Sequence, residues 1–329
     1  MTPLHIPPAR IAGRLLLVAG SLLLYVLLFW ILFPTRGPGI AALGLLPALI
    51  SGGLLGLRGG LLASLLIALL PTPLLALLDE EPLQLLLGQT GGLGSIMLVA
   101  VGAAAGWASD INRELHHERE RADQLLLNVL PPSIAERLKR EPGIIADSHE
   151  DVTILFADIV NFSRLSGRVS PRHLVKMLNR LFSMFDELVE RHQLEKIKTI
   201  GDTYMVVGGV PTPRADHPEA VATFALEMLE AVCRFNQEQN TTLNLRVGIA
   251  TGPVIAGVLG TRKFSYDLWG DTVNVASRME SHGVPGRIQI TVATYKRLRH
   301  HFNFEKRGMI DVKGKGQMAT YFLLGKKEQ

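Results

Sequence analysis

The sequence predicts a chain of two parts, an all-α membrane domain of four helices followed by a soluble α+β domain. Charged residues are almost absent up to residue 109, where long apolar stretches dominate, and from residue 151 short strand patterns alternate with amphipathic helices. The 329 residues are enough for two or three units. We therefore divide the chain into a membrane domain at 1–109, a helical connector and hinge at 110–150, and a soluble domain at 151–329.

The composition argues against several classes of protein. The formal net charge is +4, but the basic residues are spread over the second half, and no lysine precedes Lys139. Without a dense block of Lys and Arg, nucleic acid is not an expected partner. Cys233 is the single cysteine, which excludes an intramolecular disulfide and a zinc site built from cysteines.

Four apolar stretches without a charged residue predict the membrane helices, at 15–33, 39–57, 59–78 and 90–109. Each is about long enough to cross a hydrocarbon core of roughly 30 Å as a helix. Buried core helices of a soluble protein are the alternative, and a cleaved signal peptide is an alternative for the first stretch. Four consecutive uncharged stretches and the lack of a cleavage site favour membrane spans. We expect an integral, multi-pass protein whose partner is a lipid bilayer.

Charges between the spans predict the orientation. Arg10 and Arg14 precede the first span and Arg58 lies between the second and third, whereas the acidic run at 79–81 follows the third. The positive-inside rule then places the N-terminus and the soluble domain in the cytoplasm, although Arg36 weakly favours the opposite orientation. We expect the plasma membrane, which in a bacterium is the inner membrane.

The connector shows a heptad-like pattern. Positions at alternating steps of four and three, apolar except for one glutamate, are typical of a two-stranded coiled coil; they are Ile111, Leu115, Glu118, Ala122, Leu125 and Val129. A solvated helix that leaves the membrane is the alternative, and both remain open. Pro131 and Pro132 are expected to end this helix, and Ser133 is expected to cap a second helix that continues through Arg140.

The pattern of the soluble domain predicts an α+β sandwich with one layered core. The predicted strands lie at 152–157, 196–200, 203–207, 245–250, 253–258, 264–269 and 320–324. The predicted helices lie at 171–191, 218–236 and 272–281. Gly201 and Asp202 are expected to form a hairpin turn between the second and third strands.

Two carboxylates stand where a fold can present them to a divalent cation. Asp158 directly follows the first strand, and Asp202 lies at the hairpin tip. With no histidine nearby, they match hard, oxygen-liganded ions such as Mg²⁺, and the amides after Asp158 could hold phosphate oxygens at a helix N-terminus. Taken alone, each aspartate also fits a structural role, as a charge at a helix N-terminus or as a turn residue.

Four ordered blocks of the sequence resemble the signatures of class III adenylate and guanylate cyclases. They are residues 156–163 (FADIVNFS), 198–205 (KTIGDTYM), 266–279 (YDLWGDTVNVASRM) and 312–316 (VKGKG). The resemblance covers roughly 151–324, and residues 128–132 (NVLPP) resemble the hinge that precedes this domain in many relatives. It implies the class III cyclase fold, a ferredoxin-like α/β sandwich within the α+β class.

The resemblance implies residues that hold metal and phosphate. Asp158, the backbone carbonyl of Ile159, and Asp202 would bind two Mg²⁺ ions per active site, and Mn²⁺ is expected to substitute for them. Lys313 would bind the terminal phosphates of the substrate, with Lys315 as the alternative.

The resemblance also implies residues that hold the nucleoside. Lys198 and Asp267 would contact the purine, Asn274 would orient the ribose, and Arg278 would meet the α-phosphate. In the family, these residues and the metal-binding aspartates of one site come from opposite chains. Because this chain carries both sets, a homodimer with two composite active sites is implied.

The predicted substrate is ATP. Lys198 can donate to N1 of adenine and Asp267 can accept from its 6-amino group, whereas relatives that use GTP have Glu and Cys at these places. The implied reaction is attack of the ribose 3′-hydroxyl on the α-phosphate, which gives 3′,5′-cyclic AMP and pyrophosphate.

Several alternatives remain open. The chain could be a guanylate cyclase, or a catalytically inactive membrane sensor that uses this fold for dimerisation. A transporter is disfavoured because the four predicted spans contain no ionisable residue that would mark a pathway. The membrane domain could act as a sensor of an unknown ligand, as a dimerisation device or as an anchor, and it could regulate the catalytic domain.

Overall fold

A computed structural model describes residues 8–70, 89–141, 143–260 and 263–328. The chain divides into two compact units, Met1–Gln124 and Leu125–Gln329. The long helices of the first unit are α1 (Pro8–Arg36), α2 (Leu45–Leu69) and α3 (Gln89–Leu127), with a 3-10 helix at Gly37–Gly44.

Three helices among the described residues are long and apolar enough to cross a membrane, at Ala12–Thr35, Ala42–Leu69 and Leu93–Leu127. This count takes residues 45–69 as one helix although Gly56 breaks it, so the second predicted span and the described part of the third fall within one range. The end of the third predicted span, 71–78, and the acidic run at 79–81 lie outside the described residues.

Helix α2 folds back on itself at its break. Gly56 has φ 78° and ψ −169°, a conformation that favours glycine. A side-chain carbon at Gly60 would lie 2.9 Å from Cα of Gly52, whereas residues eight apart in a straight helix are about 12 Å apart. The two segments therefore run side by side. The break between the second and third predicted spans therefore lies at Gly56, two residues before Arg58.

Side chains of α3 satisfy the backbone groups that this break leaves without helical partners. Asp110 accepts a hydrogen bond from the amide of Leu57 at 2.8 Å. On the other side, the carbonyl of Gly53 accepts from the Ser109 hydroxyl at 2.8 Å and from Arg113 at 3.1 Å. An interrupted helix needs such partners because its free amides and carbonyls are costly to leave unpaired.

The second unit contains eight strands and six helices among the described residues. The helices are α4 (Pro132–Arg140), α5 (Phe162–Ser166), α6 (Pro171–Arg191), α7 (His217–Gln239), α8 (Asp271–Ser281) and α9 (Val292–Leu298). The strands are β1 (Ile145–Ile159), β2 (Glu195–Ile200), β3 (Thr203–Gly208), β4 (Leu245–Leu259), β5 (Ser265–Trp269), β6 (Ile288–Thr291), β7 (Phe302–Val312) and β8 (Gly316–Lys326).

The strands form one mixed sheet in the order β2-β3-β1-β4-β6-β8-β7, and β5 pairs with β4. Neighbouring strands are antiparallel, except that β4 and β6 are parallel. The segment β1-α6-β2-β3-α7-β4 has the βαββαβ order of a ferredoxin-like sandwich. The predicted α+β fold is thus confirmed.

Alternate residues of the central strands contribute to two cores on opposite faces of the sheet. Leu155 and Val206 pack with α6 and α7, whereas Phe156 and Met205 pack with α4 and α8. Asp158 is two residues after Phe156 in the strand, so its side chain points to the same face of the sheet, which α8 covers. The period of two in β1 therefore decides where this carboxylate points.

Several predicted boundaries differ from the structure. The predicted strands 245–250 and 253–258 form one strand, β4, because Pro253 lies opposite an irregularity in β1 between His149 and Val152, where a missing amide donor is tolerated. Strand β1 begins at Ile145, earlier than predicted. Strands β6 and β7 and helix α9 were not predicted, since β6 has four residues and β7 lacks a clean alternation.

The predicted cap of the second connector helix is wrong. Helix α4 begins at Pro132, Pro131 occupies the N-cap position, and no side chain caps it. Proline suits the first turn because its missing amide would have no helical partner there. In the connector, Ile111, Leu115 and Leu125 are exposed in the single chain, and the coiled coil remains a prediction.

Candidate active site

The two predicted metal-binding aspartates lie close together. Asp158 is the second-last residue of β1, and Asp202 follows Gly201, whose φ of 64° permits the tight β2-β3 turn. Because β3 pairs with β1, the hairpin tip comes beside the end of β1. Burial, followed by the negative charge of Asp158, raises the pKa of Asp202. The second of these effects requires the two carboxylates to be near neighbours.

Both carboxylate oxygens of Asp158 accept hydrogen bonds. The Thr203 hydroxyl donates to Oδ1 at 2.8 Å, and Nη2 of Arg246 donates to Oδ2 at 2.7 Å. Nε of Arg246 donates in turn to Glu280 at 3.1 Å. Burial and the charge of Asp158 raise the pKa of Glu280 to about 7. Sequence reasoning missed Thr203, Arg246 and Glu280 because only strand register and helix packing bring them to Asp158.

The paired carboxylates fit a divalent cation. Two adjacent carboxylates repel each other, and a cation between them removes that repulsion. No group of three or more His, Cys, Asp or Glu side chains within the described ranges could hold a metal. A cation at Asp158 and Asp202 would therefore take its other ligands from backbone, water or phosphate oxygens, as Mg²⁺ commonly does. The carbonyl of Ile159, at the end of β1, stays a predicted ligand.

The predicted phosphate-binding amides lie in a short helix. Helix α5 begins at Phe162, four residues after Asp158, and Asn161 precedes it with a left-handed φ of 58°. No side chain caps this helix. Its first amides are therefore not occupied by a cap, although its five residues give little helix dipole.

The two predicted purine-reading residues form an ion pair. Nζ of Lys198 on β2 contacts Oδ2 of Asp267 on β5, and the amide of Leu268 donates to Oδ1 of Asp267 at 2.9 Å. The Asp267 side chain is 15% exposed and that of Lys198 is 37% exposed. A donor and an acceptor thus lie side by side, as recognition of the adenine edge requires.

Helix α8 presents the predicted ribose and α-phosphate residues to solvent. Asn274 and Arg278 are both exposed and lie one turn apart on the same face of the helix. Neither side chain has a hydrogen-bond or ion-pair partner among the described residues. Both groups are free to contact a ligand or a second chain.

The turn between β7 and β8 distinguishes the two candidate phosphate-binding lysines. Lys315 forms an ion pair with Asp271 at 2.7 Å, at the first residue of α8. Lys313 is exposed and has no such partner in the part of the chain that the structure describes. The free ammonium group of Lys313 fits the predicted phosphate contact better.

Within one chain, α8 directs Arg278 away from the metal-binding aspartates. Glu280 faces the sheet, where Arg246 links it to Asp158. Because each residue turns a helix by 100°, Arg278 projects about 160° around α8 from Glu280. The metal-binding and α-phosphate residues of a single chain therefore point in different directions.

The comparisons with known proteins agree on the second unit. Residues 144–325 match the family model of the adenylate and guanylate cyclase catalytic domain. An adenylate cyclase of Mycobacterium tuberculosis is 53% identical over 211 residues, which are 64% of this chain and 48% of that protein. Guanylate cyclase soluble subunit beta-2 of Rattus norvegicus is 44% identical over 216 residues, 65% of this chain and 32% of that protein.

A solved structure gives the same result. The guanylate cyclase domain of RhGC from Catenaria anguillulae, in complex with GTP, is 39% identical with a TM-score of 0.54. The match covers 55% of this chain and all of that domain. The chain spans half or less of the length of the curated relatives described above. The matched proteins include both an adenylate cyclase and a guanylate cyclase.

Proposed function

The chain belongs to the adenylate and guanylate cyclase family, and we propose that it is an adenylate cyclase that converts ATP to 3′,5′-cyclic AMP and pyrophosphate. The Lys198–Asp267 pair is the observation that supports ATP over GTP. The lysine donates and the aspartate accepts, which complements N1 and the 6-amino group of adenine. Guanine presents the reverse pattern on that edge, so the same pair would leave its polar groups mismatched.

We assign the chemistry to positioning and to charge. When bound, two Mg²⁺ ions would lower the pKa of the ribose 3′-hydroxyl and neutralise the phosphates. Asp158, Asp202 and the Ile159 carbonyl would hold these ions. Asn274 would orient the ribose so that its 3′-oxygen attacks the α-phosphorus in line.

The remaining charges of the chain act on the phosphates. Arg278 would stabilise the charge that develops on the α-phosphate as the bond to pyrophosphate breaks. Lys313 would hold the terminal phosphates through a charge-assisted contact. We assign no side chain as a general base: the proton of the 3′-hydroxyl would leave to solvent water, which a lowered pKa of that hydroxyl permits.

The direction of α8 supports a site shared across a homodimer. Arg278 and Asn274 are exposed and without partners in the described residues, and Arg278 points away from the carboxylates of its own chain. A second copy can supply these groups to Asp158 and Asp202. By two-fold symmetry the dimer then has two equivalent composite sites.

We further propose that the first unit anchors the enzyme in the plasma membrane. Its three long apolar helices support membrane insertion. The positive-inside rule supports a cytoplasmic N-terminus and catalytic domain, on the side where ATP is found. Helix α3 runs without interruption from an apolar stretch into the connector, which offers a route for regulation by the membrane unit.

The test is nucleotide turnover by the whole 329-residue chain in detergent micelles, with ATP or GTP and with Mg²⁺ or Mn²⁺. We expect cyclic AMP from ATP, and a kcat/KM for ATP at least about tenfold above that for GTP. A higher kcat/KM for GTP would make the protein a guanylate cyclase. No product from either nucleotide, in a folded protein, would favour the inactive sensor.

A further inference from the structure

One arginine bridges two carboxylates beside the candidate cation site. Arg246 on β4 lies directly opposite Asp158 on β1 in antiparallel register, so both side chains leave the same face of the sheet. Its Nη2 donates to Asp158 at 2.7 Å and its Nε donates to Glu280 at 3.1 Å. A planar guanidinium suits this bridge because its donors point in fixed directions towards two acceptors.

Glycine at position 248 allows α8 to reach this arginine. A Cβ at Gly248 would lie 2.0 Å from the backbone nitrogen of Glu280 and 2.7 Å from the carbonyl oxygen of Ala276. Any other residue would push the helix away from β4. The close approach places the Glu280 side chain, which is only 9% exposed, beside Arg246, two residues along the strand from Gly248.

The bridge fixes the orientation of the Asp158 carboxylate. Thr203 occupies one lone pair of Oδ1 and Arg246 occupies one lone pair of Oδ2. Each oxygen of a carboxylate has a second lone pair, so both remain able to bind a cation. With both oxygens held, the carboxylate cannot rotate about its terminal bond without breaking a hydrogen bond.

The charge of Arg246 alone would oppose cation binding. Glu280 offsets that charge, because it accepts from Nε of the same guanidinium. When Glu280 is ionised the pair is close to neutral, and the charges of Asp158 and Asp202 stay available to the cation. We propose that Arg246, balanced by Glu280, is a positioning residue that holds the Asp158 carboxylate ready for cation binding. This inference rests on the proposed function.

The two residues are expected to affect different quantities. Glu280→Gln keeps the shape of the side chain but leaves the positive charge of Arg246 without a counter-charge. The Mn²⁺ concentration that gives half-saturation should therefore rise about tenfold. The kcat at saturating Mn²⁺ should change less than about threefold. Arg246→Gln frees the carboxylate, so kcat should fall at least about tenfold even at saturating Mn²⁺. The kcat of Arg246→Lys should lie between the values for wild type and Arg246→Gln, because lysine has a single donor group.

The measurements use the whole 329-residue chain in detergent. Electron paramagnetic resonance of free Mn²⁺, with a non-hydrolysable ATP analogue present, gives cation binding without turnover. Steady-state kinetics gives kcat, and thermal unfolding shows whether each variant is folded. Arg180→Gln is the matched control, because it breaks a 2.7 Å ion pair with Glu238 between α6 and α7 on the other face of the sheet. Arg180→Gln should change neither Mn²⁺ binding nor kcat.

The outcomes separate this inference from the proposed function. If Asp158→Asn is inactive while folded Arg246→Gln and Glu280→Gln keep wild-type kcat and Mn²⁺ binding, the positioning role is wrong and the proposed function stands. If Asp158→Asn itself keeps wild-type turnover and Mn²⁺ binding, the proposed metal site fails, and the inference fails with it. Should Arg246→Gln not fold, Arg246→Lys and Glu280→Gln decide by the same criteria.

Discussion

Asp158→Asn and Asp202→Asn are each expected to lower cyclic AMP formation at least about a thousandfold, because each removes a charge that binds the catalytic cations. In Asp158→Asn, which keeps the shape of the side chain, the amide oxygen can accept from Arg246 and the amide nitrogen can donate to the Thr203 hydroxyl oxygen. The domain should therefore remain folded. Turnover with Mg²⁺ and with Mn²⁺, together with thermal unfolding, provides the measurement.

A matched control comes from the same strand. Asp147 on β1 forms a 2.6 Å ion pair with Arg137 and takes no part in the candidate site, so Asp147→Asn should keep near wild-type turnover. Wild-type activity of Asp158→Asn or Asp202→Asn, with either cation, would remove the two-metal assignment.

Exchanging the purine-reading pair is expected to exchange the preferred nucleotide. In Lys198→Glu combined with Asp267→Cys, an acceptor replaces the donor that faces N1, and the group that accepts from the 6-amino group is lost. The ratio of kcat/KM for ATP to that for GTP should fall at least about a hundredfold, since sites that hydrogen-bond a substrate strongly reject a mismatched analogue. Initial rates with both nucleotides give this ratio.

The single substitutions are informative controls. Lys198→Glu alone places two carboxylates side by side, and Asp267→Cys alone leaves a partly buried lysine without its counter-ion. Each should lower turnover with both nucleotides more than it changes the preference, because breaking one half of a partly buried pair is costly. A double variant that retains activity but has an unchanged ratio would rule out this pair as the purine reader.

Local features of the sequence were sufficient to predict the elements that carry the site. The predicted helix at 171–191 agrees with α6 at both ends. Ser170 accepts from the amide of His173 at its start, and Pro171 occupies the first turn. The hairpin around Asp202 likewise follows from Gly201, whose positive φ permits the turn. Signals of this kind lie within a few residues of the feature they determine.

Non-local features could not be predicted in this way. Arg246 lies 88 residues from Asp158 in the chain, and only the register of β1 against β4 makes them neighbours. The role of Gly248 depends on the position at which α8 packs against β4. In the membrane unit, the capping of the Gly56 break by Asp110 depends on the packing of α3. No local pattern in the sequence encodes any of these contacts.

Complementation between two inert variants tests the shared site most directly. One variant lacks the metal-binding groups (Asp158→Asn with Asp202→Asn), and the other lacks the ribose and phosphate groups (Asn274→Ala with Arg278→Ala). Co-expressed with different affinity tags, they should form mixed dimers with one intact site each. Random pairing then predicts about a quarter of wild-type cyclic AMP formation. If dimers that carry both tags are isolated and make no cyclic AMP, the two chains do not share a site in this way.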